Sequence, residues 1–172
     1  GGGRLNIVQS NNYSATIGGG EKNGIYVNAS FSFIGGGLLN STAGEYTAIG
    51  GGFQNTIQTN ATYATIPGGF RNHAAGEYGF AAGRQAKANH QGAFVWADAT
   101  DADIASTAAN SVTMRASGGY QIFSDGGATA GVSLAPDGTA WAVISDRNVK
   151  KDFAPVDQRT ILEKLAALPI TR

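Results

Sequence analysis

The sequence predicts an all-β protein whose main part is a parallel β-solenoid, followed by short β-strands and one C-terminal helix. Two observations predict the solenoid: a glycine triplet that recurs every 14 to 17 residues, and columns of similar residues that keep register with it. Units this short cannot hold paired helices, but they match one coil of a β-solenoid. The pattern changes after residue 98 and again after residue 144, which divides the chain into segments 1–98, 99–144 and 145–172.

The composition narrows the possible functions. Charged residues make up 14% of the 172 residues and balance to zero, so no basic surface for nucleic acid or anionic lipid is expected. The chain has no cysteine, which excludes disulfides. It has no apolar run of membrane-spanning length, and we expect no membrane contact within this segment. Because it opens inside the repeated motif, we expect it to be a piece of a longer protein.

The repeat is defined by its glycines and by an asparagine that follows them. Glycine triplets start at Gly1, Gly18, Gly35 and Gly50, and weaker copies start at Pro67 and Ala81. An asparagine stands five residues past each of the first five starts, at Asn6, Asn23, Asn40, Asn55 and Asn72. We expect the glycines to form corners where the chain turns sharply and neighbouring backbones come close. Stacked asparagines would bond to nearby backbone and form a ladder between coils.

The columns before the glycines indicate a buried face. Isoleucines precede the triplets at Ile17, Ile34, Ile49 and Ile66. Small residues stand two places earlier, at Ala15, Ser32, Thr47 and Ala64. Strand side chains alternate, so these two columns share one face and should be buried as a ladder. A third column of Ser14, Phe31, Tyr46 and Tyr63 is predicted on the other face, partly covered as well. A flexible glycine-rich linker is the alternative, but a linker would not keep isoleucines in register.

The last part of the repeat carries a resemblance. The stretch from Tyr78 to Asp98, YGFAAGRQAKANHQGAFVWAD, resembles the head repeats of trimeric autotransporter adhesins, and the Ile-Gly-Gly-Gly coils look like a glycine-rich variety of the same repeat. The resemblance covers residues 1–98 and implies a left-handed parallel β-roll, three chains side by side, in a rigid surface fibre. The coils depart from that family, whose repeats more often have about 14 residues.

The middle segment, 99–144, is predicted to connect chains through β-strands. Short strand-like runs lie between residues 111 and 143, with turns at Gly118-Gly119, Gly126-Gly127 and Pro136-Asp-Gly138. Such strands bury little alone and would pair between chains. Asp98, Asp101 and Asp103 offer oxygen ligands for calcium, but their spacing matches no known calcium loop, and a solvated acidic turn is the preferred interpretation.

The C-terminal segment predicts a helix. Asp157 is a suitable N-cap, Ile161, Leu162, Leu165 and Leu168 follow at helical spacing, and Pro169 ends the pattern. The run from Ser145 to Phe153, with the LEKLAALP that follows, resembles the start of the intramolecular chaperone domain of endosialidase tailspikes and other trimeric fibres. That resemblance implies assisted trimerisation and self-cleavage beside Ser145, with Ser145 as nucleophile and Lys150 as base. The residues predict only a truncated start of that domain, and a plain turn with a solvated lysine stays an equal alternative.

No other chemistry-bearing pattern stands out. His73 and His90 lie in different coils without surrounding carboxylates, so we expect no metal, no cofactor and no catalytic site apart from possible self-cleavage. The sequence therefore predicts a structural homotrimeric fibre segment, extracellular, on a cell surface or a virion, and adhesive in one version of the hypothesis. The alternative is a receptor- or glycan-binding tail-fibre module of a phage or injection system. A tailspike enzyme ranks last, since no convergent carboxylates are visible.

Overall fold

The computed structural model of the chain describes residues 2–145 and 157–168. The chain forms two compact units, which divide between Gly118 and Gly119. The first unit is a parallel β-solenoid of about six turns, and the second contains a three-stranded antiparallel sheet and a short helix. The predicted β-solenoid with one short C-terminal helix is therefore confirmed. Its handedness and its assembly into trimers stay predictions.

Two parallel sheets run along the solenoid. The first contains β2 (Thr16–Ile17), β4 (Phe33–Ile34), β6 (Ala48–Ile49), β8 (Thr65–Ile66), β11 (Phe80–Arg84), β13 (Phe94–Ala97) and β15 (Val112–Arg115). The second contains β1 (Ile7–Val8), β3 (Gly24–Ile25), β5 (Ser41–Thr42), β7 (Thr56–Ile57), β10 (His73–Ala74), β12 (Ala86–Ala88) and β14 (Ile104–Ala105). Each strand pairs with its equivalents one coil before and one coil after, so every coil is itself the crossover that parallel strands require.

A third line of pairing follows the glycine triplets. It consists of single-residue bridges that join Arg4, Glu21, Leu38, Phe53 and Phe70 in order, and β9 (Gly69–Phe70) also pairs with the end of β11. Each coil thus has three paired stretches separated by corners. The corners follow one another so closely that most strands are only two residues long.

The core between the sheets is narrow and contains mostly isoleucine and alanine. Ile34, Ile49 and Ile66 of the first sheet are fully buried in one cluster with Ile25 and Ile57 of the second. Ile17 is only half-buried at the start of the column. The small column shares this face: Ser32, Thr47 and Ala64 are buried, and the Ser32 and Thr47 hydroxyls lie 2.9 Å apart. The predicted buried isoleucine face is confirmed.

The aromatic column lies on the face opposite the isoleucines and is about half covered, as predicted. Its backbone differs from the expected strand. Phe31, Tyr46 and Tyr63 lie at the corner before the strand, with left-handed φ angles of 58°, 55° and 62°. The outward positions of the strands belong instead to Thr16, Phe33, Ala48 and Thr65, which precede the isoleucines.

The solenoid also continues beyond residue 98, where the sequence suggested that the coils end. β14 and β15 add one further rung, with Phe94 opposite Val112 and Trp96 opposite Met114. In β13 the exposed residues are Phe94 and Trp96, and in β15 the exposed residues are Val112 and Met114. Because the two strands alternate in the same way, β15 pairs in register although no glycine triplet follows it. The segment 99–144 is therefore divided between the two units.

The second unit is an antiparallel meander with a separate helix. β16 (Tyr120–Phe123), β17 (Ala130–Leu134) and β18 (Ala142–Ser145) pair in sequence order within the chain. The helix α1 (Gln158–Ala166) begins after Asp157, whose carboxylate accepts a hydrogen bond from the Arg159 N–H at 3.0 Å. The expected N-cap is confirmed, whereas Pro169 lies outside the described residues.

Candidate functional site

The asparagines form a buried ladder along one corner of the solenoid. Asn23, Asn40 and Asn55 are at most 1% exposed. The Asn40 side chain accepts a hydrogen bond from the Asn55 backbone N–H at 3.0 Å and donates to the carbonyls of Gly36 and Gly52, each at 2.9 Å. The same pattern recurs at Asn23 and Asn55, so each amide satisfies backbone groups of its own coil and of the next coil. Each side-chain nitrogen also donates to the asparagine side-chain oxygen of the coil before.

The ladder ends at a change of residue type. Asn72 is its last member, and its side-chain oxygen accepts the N–H of Ala86 at 2.9 Å. Ala86 occupies the next asparagine position but has no amide with which to continue. The ladder is therefore a structural device of the glycine-rich coils.

The first and third glycines of each triplet lie where a side chain would not fit. A Cβ on Gly18, Gly35 or Gly50 would meet the carbonyl of the equivalent residue in the next coil, at 2.6 Å for Gly18 and closer for the other two. Gly37, a third glycine, has a φ of +87°, and its Cβ would lie 2.8 Å from the Gly52 nitrogen. These glycines allow the close backbone approach at the corner.

An exposed aromatic ladder lies along a different corner. Phe31, Tyr46, Tyr63 and Tyr78 stack in order, with ring centroids 5.0, 5.3 and 5.2 Å apart and interplanar angles of 4° to 19°. Each residue is about half exposed. Because the rings cover one another's faces, their edges and the tyrosine hydroxyls form the surface. We call these four residues the aromatic ladder.

Tyr78 belongs to the predicted repeat, but its place in this ladder was not predicted. The available signal was a repeated tetrapeptide, Ala-Gly-Glu-Tyr, at residues 43–46 and 75–78. In both copies the tyrosine has a left-handed φ, 55° for Tyr46 and 57° for Tyr78. Glu77 raises the pKa of the neighbouring Tyr78, chiefly through the negative charge of its carboxylate.

The outer face of the first sheet is apolar over its last rungs. Phe80 and Phe94 stack with centroids 4.7 Å apart and an interplanar angle of 3°. Phe94, Trp96 and Val112 are 37%, 38% and 67% exposed. We call Phe80, Phe94, Trp96, Val112 and Met114 the apolar outer patch.

The three aspartates proposed as alternative calcium ligands do not converge. Asp98 pairs with Arg115 at 2.8 Å, Asp101 with Arg84 at 2.7 Å and Asp103 with Lys87 at 3.4 Å. Within residues 2–145 and 157–168, no group of three His, Cys, Asp or Glu side chains could hold a metal ion. Residues 99–103 are exposed, and the Asp101 and Asp103 side chains are 72% and 66% exposed, so the predicted solvated acidic turn is confirmed for them. Asp98 differs, because its side chain is only 14% exposed beside Arg115.

Asp98 has the most closely held carboxylate of the three. It accepts hydrogen bonds from the Ser117 N–H at 2.7 Å, the Arg115 guanidinium at 2.8 Å and the Thr100 N–H at 3.1 Å. These donors, with Ser117 as the largest contributor, hold the pKa of Asp98 far below its usual value. Asp98 thus ties residues 115–117 to the preceding coil.

The remaining predicted residues form no visible catalytic group. His73 lies half-buried in the second sheet, and burial, followed by the charge of Lys87, lowers its pKa. His90 contacts Ser106, with its Nδ1 2.8 Å from the Ser106 hydroxyl oxygen, and Ser106 is buried. Ser145 ends β18, while Lys150 lies outside the described residues, so the proposed Ser–Lys pair stays a prediction.

Three lines of parallel strand pairing run along the first unit, which is therefore a parallel β-solenoid. Its candidate functional surfaces are the aromatic ladder and the apolar outer patch, both on the outer side of the coils. No protein-family model matches the chain, and no curated protein sequence matches it either. In the part of the chain that the structure describes, no helix has the length and apolar character needed to cross a membrane.

Proposed function

We propose that this chain is a structural segment of a homotrimeric, extracellular fibre on a cell surface or virion. The observation that carries the proposal is the apolar outer patch, which leaves large apolar side chains facing outward from a folded coil. The trimeric state and the surface location rest on the resemblance to adhesin head repeats and to the chaperone domain of trimeric fibres. No substrate turnover is part of the proposal.

The apolar outer patch supports burial against another chain. Contiguous exposed apolar surface of this kind is uncommon on monomeric proteins and marks interaction sites. The patch is formed by residues of three neighbouring strands, β11, β13 and β15, that pair in register, so it runs across three rungs. In the first coils the equivalent outward positions include Thr16, Ala48 and Thr65, which interrupt such a surface.

The meander supports the same conclusion independently. Ile122 is opposite Val132, which is opposite Val143, so the three side chains share one face. Ile122 and Val143 are 55% and 78% exposed. Exposed contiguous apolar surface of this kind marks an interaction site, so we expect a second apolar surface to cover this face.

Identical chains are the partners that these surfaces favour. Neither the apolar outer patch nor the Ile122–Val132–Val143 face contains a charged residue, so neither offers electrostatic selection of a different protein. Closed rotational symmetry brings the same patch of each chain to a common interface. The aromatic ladder has less need of such cover, because its rings already stack on one another.

The oligomeric state tests the proposal. Light scattering on the purified chain should give three times its 17.6 kDa mass. Trp96→Lys places a charge in the apolar outer patch and should shift the protein to monomers. Thr56→Lys, on the outer face of the second sheet, is the matched control and should remain trimeric. A monomeric or dimeric wild-type chain would refute the trimer.

The second candidate function is a receptor- or glycan-binding module of a tail fibre. The exposed aromatic ladder favours it, because aromatic surfaces with adjacent polar groups are typical of ligand sites. The two functions are compatible in one fibre. Binding of glycans on an array by the wild-type chain, lost when the ladder is removed, would support this role.

A further inference from the structure

The aromatic ladder stops at a glycine. The corner position occupied by Tyr46, Tyr63 and Tyr78 is occupied in the next coil by Gly92, and all four have left-handed φ angles between 55° and 64°. The Tyr78 N–H bonds to the Thr62 carbonyl at 2.9 Å, and the Gly92 N–H bonds to the Glu77 carbonyl at 2.8 Å. Gly92 therefore continues the ladder in backbone geometry but supplies no ring.

Within residues 2–145 and 157–168, the Tyr78 ring stacks on one other ring, so one of its faces has no stacking partner there. Its other face stacks on Tyr63, with centroids 5.2 Å apart and an interplanar angle of 8°. Tyr78 is 55% exposed, whereas Tyr46 and Tyr63, which have rings on both sides, are 47% and 48% exposed. Tyr78 is thus the most exposed residue of the aromatic ladder.

Polar side chains surround this open position. The Glu77 carboxylate accepts a hydrogen bond from the Gln91 amide at 3.1 Å. Asn110 follows in the next coil, and its side-chain oxygen lies close to where a Cβ of Gly92 would be. The Asn110 amide thus lies against Gly92, and the Glu77 carboxylate and the Gln91 amide belong to the residues that precede Tyr78 and Gly92.

We propose that the gap over Gly92 binds one neutral pyranose ring of a glycan, stacked on the free face of Tyr78. A pyranose has an apolar C–H face that packs on an aromatic ring, and hydroxyls that both donate and accept hydrogen bonds. Gln91 and Asn110 offer donors and acceptors to such hydroxyls, and Glu77 offers acceptors. We call this position the Gly92 subsite.

The charges near the Gly92 subsite decide between classes of ligand. The corner segments 26–32, 43–47, 58–64, 75–79 and 89–93 contain Glu45 and Glu77 but no lysine or arginine. A carboxylated sugar would be repelled by Glu77 and would find no guanidinium or ammonium group in these segments. The imidazole of His90, in segment 89–93, contacts the Ser106 hydroxyl through Nδ1 at 2.8 Å. A neutral sugar avoids this cost. The inference deepens the second candidate function and does not depend on the trimer.

Saturation-transfer NMR on the full chain tests the Gly92 subsite. The probes are methyl glycosides of glucose, galactose, mannose and N-acetylglucosamine, with the methyl glycoside of sialic acid as the anionic comparison and thioflavin T as a flat aromatic cation. We expect at least one neutral glycoside to receive saturation, mainly at the protons of one ring face. Absence of any neutral binder would overturn the inference, and so would binding of only the sialoside or thioflavin T.

Two substitutions locate the binding. Tyr78→Ala removes the stacking face and should weaken binding about tenfold, as expected for the loss of one aromatic contact and its ordered surroundings. Gly92→Tyr supplies the missing ring and should abolish binding while leaving the melting temperature unchanged or higher. That substitution is feasible because tyrosines already occupy this backbone conformation at the equivalent corners, and the Asn110 side chain can move aside.

The control is Tyr26→Ala, which removes an exposed tyrosine outside the aromatic ladder and should leave binding unchanged. If Tyr78→Ala does not fold, Gly92→Tyr alone decides the matter. Binding that persists in a folded Gly92→Tyr protein would overturn the inference. A trimer that binds no glycoside would leave the fibre proposal intact, and a monomer that binds would leave the Gly92 subsite intact.

Discussion

Replacing Asn40 by alanine removes one rung of the asparagine ladder from the middle of the solenoid. The substitution leaves the Asn55 backbone N–H, which is buried, without its acceptor. An unsatisfied buried donor costs about 1–3 kcal/mol. The bonds from the Asn40 amide to Gly36 and Gly52, both 2.9 Å, are also lost, at about 0.5–1.5 kcal/mol each. We expect a loss of about 2–6 kcal/mol in the free energy of unfolding.

The assay is urea denaturation followed by circular dichroism. All proteins are compared at one chain concentration, because the apparent stability of an oligomer depends on concentration. The matched control is Asn60→Ala, an exposed asparagine at a corner, which should change the free energy by no more than about 0.5 kcal/mol. If Asn40→Ala and Asn60→Ala unfolded at the same urea concentration, the ladder would contribute nothing to stability and the reasoning would fail.

Three further predictions follow from the corners and the segment ends. Gly37→Ala should lower stability by about 1–3 kcal/mol, because a Cβ there meets the next coil and the φ is +87°. Gly36→Ala should be nearly neutral in the same urea assay, because its Cβ would make only ordinary van der Waals contacts, the nearest at 3.8 Å. Asp98→Asn should destabilise the protein at pH 7, and its deficit relative to wild type should shrink as the pH falls below about 4. Because the pKa of Asp98 is lowered in the folded protein, its carboxylate stabilises the fold above about pH 4, and this stabilisation is lost as the carboxylate becomes protonated at lower pH. If the stability difference between Asp98→Asn and wild type did not change with pH, the prediction would be contradicted. If the chain is extended with a complete chaperone domain, it should cut itself beside Ser145 after trimers form, as seen by electrophoresis. Lys150→Arg should trimerise uncut, since arginine does not give up its proton, and continued cleavage would exclude the Ser–Lys pair.

The sequence predicted those features that repeat in every coil. Ile34 and Asn40 could be assigned because their neighbours along the solenoid recur at the same offset from a glycine triplet, and stacking places recurring residues on top of one another. Phe31 could be assigned to a column but not to a backbone conformation. Its left-handed φ depends on how the corner closes, and that closure is set by hydrogen bonds between coils.

Features that occur only once in the chain could not be predicted by comparing coils. The last rung, Val112–Arg115, has no glycine triplet and is specified by its side-chain match to the strand before it. The ion pair between Asp98 and Arg115 joins residues that are distant in sequence, with no motif to link them. Gly92 is the position in the aromatic column where no ring is present. Its significance could be seen only after the structure had shown that Tyr78 belongs to that column.

The difference in coil length is absorbed at one place in the solenoid. Successive asparagines are 17 residues apart between Asn23 and Asn40 but 15 apart between Asn40 and Asn55, yet both pairs make the same side-chain bond to the next backbone N–H. The extra residues lie in the corner segments between the second sheet and the first, such as 26–32 compared with 43–47. Insertions and deletions in these segments leave the ladders in register. One edge of the solenoid is therefore free to change in sequence and length during evolution. Whole coils could also be gained or lost between equivalent asparagines. The length of the solenoid and the sequence of its exposed edge could thus evolve separately.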